Sequence, residues 1–108
     1  KVGAQEIAYQ NIVKTCYAKE AFEKAGFDVK FDGAHFNEIV VNVKAPVKKV
    51  NQYLFDNDII GGYDLGLKFE NLKNHALIAV TEQRTKEEID ALVQHTAAVV
   101  QETEALNA

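Results

Sequence analysis

Residues 74–90 read Asn74-His75-Ala76-Leu77-Ile78-Ala79-Val80-Thr81-Glu82-Gln83-Arg84-Thr85-Lys86-Glu87-Glu88-Ile89-Asp90. Two elements meet in this stretch. The five residues from Ala76 to Val80 form a short apolar run without clear alternation, as expected for a strand covered on much of both faces. Thr85 and Glu88 then stand in the Thr-x-x-Glu order of a capping box, in which a hydroxyl and a carboxylate satisfy N–H groups that the first helical turn leaves unpaired. Ile89, Leu92, Val93, Thr96, Val99 and Val100 continue at helical spacing, so the run predicts a strand followed by a long amphipathic helix.

Working outward, the first half of the chain supplies the partners that this strand and helix need. Over residues 3–25, Ala4, Ile7, Ala8, Ile12, Cys16 and Phe22 fall near helical spacing, with Lys14, Lys19, Glu20 and Lys24 elsewhere around the wheel and Gly26 as a C-terminal cap. Phe27, Val29 and Phe31 alternate with Asp28, Lys30 and Asp32, the period-two pattern of a strand with one wet face. Asp32-Gly33 suits a tight turn. Residues 36–43 are rich in β-branched side chains, with Ile39, Val41 and Val43 on one face and Val40 opposite, and read as the more buried arm of a hairpin. Pro46 fits the first turn of a helix, where its missing N–H costs nothing. Val47, Val50, Leu54 and Phe55 give that helix a stripe, and it stops at Asp56-Asn57-Asp58.

The segment Ile59-Ile60-Gly61-Gly62-Tyr63-Asp64-Leu65-Gly66 follows as a loop. A phosphate-binding loop would follow a strand and open a helix, whereas these glycines follow a helix and precede a polar segment, so backbone geometry is the reading preferred for them. The element order is α-β-β-α-β-α, which predicts one domain over residues 1–108, an α/β (α+β) two-layer sandwich with a three-stranded sheet. A ferredoxin-like fold is the near competitor and would need a further strand before the first helix.

Composition narrows the function classes. The 108 residues are 47% hydrophobic and 26% charged, too apolar for a disordered segment. Sixteen Asp and Glu stand against twelve Lys and Arg, and the lysines are scattered, so the electrostatic footprint of a nucleic-acid binder is missing. No apolar run approaches the ~18 residues needed to cross a membrane. The lone Cys16 excludes an internal disulfide and reads as a small buried hydrophobe. His35, His75 and His95 share no metal-ligand spacing. Lys30, Lys68 and Lys86 have charged or turn-like neighbours and read as solvated, whereas a Schiff-base lysine needs a desolvated setting.

Taken together, Gly61-Gly62-Tyr63-Asp64-Leu65-Gly66, a short acidic segment, Asn74-His75, the apolar strand, Thr81-Glu82-x-Arg84-Thr85 and the capped helix occur in a familiar order. With the first half, including Phe36-Asn37-Glu38, the chain resembles the C-terminal end of subunit 1 of the bacterial two-subunit glycine dehydrogenases (decarboxylating), the P-proteins of the glycine cleavage system. The resemblance implies the small C-terminal domain of the transferase-like (fold type I) pyridoxal-phosphate enzymes. It further implies an enzyme that decarboxylates glycine and passes the aminomethyl group to the lipoyl arm of H-protein. Pyridoxal phosphate is then held by a lysine of subunit 2, in a bacterial, cytoplasmic heterotetramer, and no catalytic, cofactor-binding or metal residue is expected in this stretch. Lys1 in place of an initiator methionine leads to the same expectation, a piece of a longer chain whose large domain lies upstream.

Five residues remain as contacts with an active site or a subunit interface. Tyr63 and Asp64 are candidates for a surface facing the large domain or subunit 2. His75 lies where amino-group-transferring relatives carry a carboxylate-anchoring arginine, or else is a polar residue at the start of a strand. Glu82 and Arg84 form a functional pair or serve the start of the final helix. The alternative is an autonomous ferredoxin-like small-molecule-binding or regulatory module.

Overall fold

The computed structural model describes residues 3–31, 37–81 and 83–107, the side chains of residues 4, 7, 8 and 107 excepted. Helix α1 spans Ala4–Lys24, strands β1 and β2 span Asp28–Phe31 and Glu38–Asn42, and helix α2 spans Val47–Asp56. A short strand β3, Tyr63–Asp64, leads through two 3₁₀ turns, Leu65–Leu67 and Glu70–Leu72, into strand β4, His75–Ala79, and helix α3, Lys86–Asn107. The strands form one antiparallel sheet in the order β1-β2-β4-β3. The two-layer α/β architecture is as expected, but among the described residues the sheet has four strands rather than three.

The fourth strand comes from the glycine-rich segment read as a loop. Tyr63 pairs with Leu77 and Asp64 with Ala76, so β3 caps the free edge of β4. Because β2 and β3 are each antiparallel to β4, they run parallel to one another, and β2-α2-β3 is a split β-α-β unit. Two residues are too few for a period-two signal.

Alternation along the strands decides the layers. Val29, Ile39, Val41, Ala76 and Ile78 are buried and join Ala18 and Phe22 of α1, Val47, Val50 and Leu54 of α2, and Ile89, Leu92, Val93, Val99 and Val100 of α3 in one core. Leu77 is half-buried and Ala79 exposed, so β4 alternates and is covered on one face only, contrary to the reading of its apolar run. Phe22 and Phe27 meet edge to face with ring centroids 5.7 Å apart.

Helix ends follow their local chemistry. At α1, the Phe27 N–H donates to the Phe22 carbonyl and the Gly26 N–H to that of Glu23, with Gly26 at φ 97°, a left-handed cap of the kind glycine favours. The same pair of bonds ends α2, from Ile59 to Leu54 and from Asp58 to Phe55, with Asp58 at φ 63°. Pro46 stands one residue ahead of α2 as its N-cap, not inside the first turn. At α3 the Glu88 N–H donates to the Thr85 hydroxyl at 3.1 Å, half of the expected capping box.

Four apolar assignments do not hold. Cys16 is exposed, as is Ile12, because α1 presents Thr15, Ala18 and Phe22 to the core, a face rotated from the one the spacing suggested. Phe55 projects outward from α2, and Phe31 lies half in solvent at the end of β1 with the Lys19 ammonium 5.4 Å from its ring centre. Buried Thr15 and Thr96 return their hydroxyl protons to the Asn11 and Leu92 carbonyls one helical turn back. The Asp32-Gly33 turn, His35, Phe36 and the Ala4, Ile7 and Ala8 side chains lie outside the described residues.

Candidate functional site

The segment between α2 and β4 carries the most distinctive geometry. Asn51, half-buried on α2, uses both ends of its amide on one residue: its Nδ2 donates to the Gly62 carbonyl at 2.7 Å, and its Oδ1 accepts from the Gly62 N–H at 3.3 Å. That clamp holds the entry of β3 against α2. A Cβ at Gly62 would stand 2.7 Å from the Leu77 carbonyl oxygen, and one at Gly61 would collide with the Asn51 amide. The two glycines are therefore required by close approach of backbone to sheet and of loop to helix.

Beyond the clamp, Asp64 turns the chain. Its carboxylate accepts from the Gly66 N–H at 2.9 Å and caps the 3₁₀ turn Leu65–Leu67. Between α2 and this segment lies an open groove of about 590 Å³ lined by Lys48, Phe55, Ile60, Tyr63, Asp64 and Leu67 among others. Its wall is mostly apolar. Phe55, Ile60 and Leu67 are 74%, 80% and 75% exposed.

The expected contacts are only partly gathered. Tyr63 pairs with Leu77, two residues on from His75, so Tyr63 and His75 share the sheet face that points away from the helices. Asp64 belongs to the opposite face. His75 opens β4 opposite Asn42, and its Nδ1 lies 2.9 Å from the Lys73 carbonyl oxygen. A carbonyl can only accept, so Nδ1 carries the proton and Nε2 is not engaged by this bond. Arg84 follows the far end of β4 and lines a separate hollow of about 360 Å³ with Asp58, Ile59, Ile60, Glu87, Glu88 and Ala91. Ile59 and Ile60 border both hollows, which is how Arg84 adjoins the groove. Glu82 lies outside the described residues, and its pairing with Arg84 with it.

Asn51 was missed by sequence reading. A polar residue in an amphipathic helix gives no sign that it will bind a loop eleven residues away. The glycine pair was the available signal, since two adjacent glycines after a helix mark a place where something must come close.

Titration adds one feature outside this region. The Tyr17 hydroxyl on α1 donates to the Asp90 carboxylate on α3 at 2.6 Å, and that bond raises the tyrosine above its ordinary 10.0. Among the described residues no three of His, Cys, Asp and Glu converge as metal ligands, and no helix is long and apolar enough to cross a membrane. No lysine among them is buried, Lys30, Lys68 and Lys86 being exposed. Such solvated amines differ from the desolvated lysine that a pyridoxal Schiff base needs.

Fold and groove define a small two-layer α/β domain whose shaped feature is an apolar edge rather than a cluster of reactive groups. The chain belongs to the glycine cleavage system P-protein family, whose profile matches residues 1–96. It is 61% identical over 99 residues to a protein of Lysinibacillus sphaericus named "Probable glycine dehydrogenase (decarboxylating) subunit 1", covering 92% of this chain and 22% of that one. The Bacillus licheniformis protein of the same name is 56% identical over 93 residues, covering 86% of this chain and 21% of its own length. The fold is shared with a solved structure described as glycine decarboxylase (P-protein) of the glycine cleavage system in inhibitor-bound form, with a TM-score of 0.69 and 20% identity over 87% of this chain and 21% of that one. The chain spans about a fifth of the length of these relatives.

Proposed function

We propose that this chain is the small C-terminal domain of a glycine dehydrogenase (decarboxylating) subunit 1, with the architecture of the fold type I pyridoxal-phosphate enzymes. The observation that carries the reading is identity of 54–61% to proteins of that name over 86–92% of this chain. The whole assembly then acts in the bacterial cytoplasm as a heterotetramer with subunit 2, decarboxylates glycine, and delivers the aminomethyl group to lipoylated H-protein. Pyridoxal phosphate supplies the electron sink for that chemistry. It is held by subunit 2, a placement supported by the exposure of Lys30, Lys68 and Lys86.

The part of this domain is positional. Tyr63 and His75, on the open face of the sheet, together with Asp64, Glu82 and Arg84, are proposed as contacts with the working site or with a subunit interface. Asp64 also shapes the 3₁₀ turn, so its two uses are separable only by measuring more than stability.

Exchange of the glycine carboxyl carbon with bicarbonate tests the reading. The intact subunit 1 mixed with subunit 2 is expected to exchange, and residues 1–108 alone are expected neither to exchange nor to develop an aldimine absorbance with pyridoxal phosphate. Either signal from the 108 residues would move the chemistry into this domain, and no exchange from the assembly would overturn the reading altogether. Asp64→Ala in the assembly is expected to lower exchange or subunit affinity; if both stay unchanged, Asp64 makes no such contact.

A further inference from the structure

We infer that the groove between α2 and the β3 segment seats the remainder of the same polypeptide, the large domain that the relatives carry beyond the span matched here, and this rests on the functional reading above. Phe55, Ile60 and Leu67 surround one concavity while each keeps about three-quarters of its surface in solvent, and Tyr63 borders it at the sheet edge. Scattered apolar residues on a surface need no explanation, but a cluster around one hollow marks a surface that is normally covered.

The walls of the groove are preformed. The Asn51 clamp, the tight passage of Gly62 under Leu77 and the left-handed stop at Asp58 fix its shape without any partner. A surface already in its binding shape loses little entropy on docking. Its polar atoms point to protein rather than to a small molecule. Asn51 is spent on Gly62, one oxygen of Asp64 accepts from Gly66 and the Gln52 amide donates to Asp56, and among the described residues no buried side-chain polar atom is left unpaired to orient a ligand.

Reach selects the occupant. Four side chains are few for the ~1,200 Å² that a stable complex with a separate protein buries. A tethered domain meets the groove at an effective concentration near the millimolar range, so a modest apolar contact is enough. The relatives are between four and five times the length of the matched span, which provides such a domain.

The test uses the intact subunit 1 carrying Ile60→Cys, labelled with a maleimide under native conditions and in urea, with modification read on the residue 60 peptide so that Cys16 and other thiols are counted apart. Native labelling at least about tenfold slower than in urea is expected for a covered site. A smaller difference overturns the inference. So does protection that vanishes on dilution, which would make the occupant a second copy, or that needs added subunit 2. Leu67→Cys gives the same readout should Ile60→Cys fail to fold. Glycine–bicarbonate exchange of the unsubstituted assembly separates the two claims: exchange with a freely labelled residue 60 sinks the docking site and leaves the function, while protection without exchange keeps the docking site and sinks the function.

Discussion

The two ends of the sheet are built on different terms. Around β2 and β4, Ile39, Val41, Ile78 and Val80 are wholly or nearly wholly enclosed in the core shared with the three helices, and the polar residues buried there, Thr15 and Thr96, bond back to their own helices. At the β3 edge two residues of strand are held by one amide clamp and two glycines, with Phe55, Ile60 and Leu67 left in water. The first region is held by burial, which is proportional to area and indifferent to detail. The second is held by specific close contacts, and it is the region whose surface is left over for a partner.

Substitutions can break that contrast. Phe22→Ala empties the centre of the enclosed region, where the ring is fully buried against Phe27, and should lower unfolding free energy by about 3–5 kcal/mol in urea titration. Gly62→Ala should come second, at about 1–3 kcal/mol, because the added methyl meets a backbone oxygen that cannot step aside without parting β3 from β4. A cost near zero would mean that the β3 edge is loosely held and the groove is not preformed. Phe55→Ser should change the stability of the 108 residues by no more than about 0.5 kcal/mol, since the ring already faces solvent. A loss as large as that of Phe22→Ala would show that the groove belongs to the core after all.

Much of the enclosed region was legible in advance. Ile39, Val41 and Val43 announce one face by their period of two, the α3 stripe from Ile89 to Val100 is buried at each position that was expected, and Thr85 caps the helix it precedes. Helix α1 was legible as a helix but not in its rotation, because small and apolar residues lie nearly all round it and only packing against α3 and the sheet chooses Ala18 and Phe22 over Ile12 and Cys16. Strand β4 looked covered on both faces because alanine at positions 76 and 79 suits either environment. Of the proposed contacts, pairing of β3 with β4 brings Tyr63 onto the face of His75, which no local pattern could show.

From the sequence alone come the family, the helices and most of their ends, the hairpin and a glycine pair that serves backbone geometry: periodicity, capping chemistry and the absence of a Cβ are properties of neighbouring residues. Only the tertiary structure decides that the glycine segment is a fourth strand, that Asn51 fastens it, and that Phe55 turns outward to line a groove with Ile60 and Leu67. Those outcomes depend on contacts between residues distant in the chain, where a backbone oxygen on β4 and an amide on α2 set limits that no spacing pattern encodes.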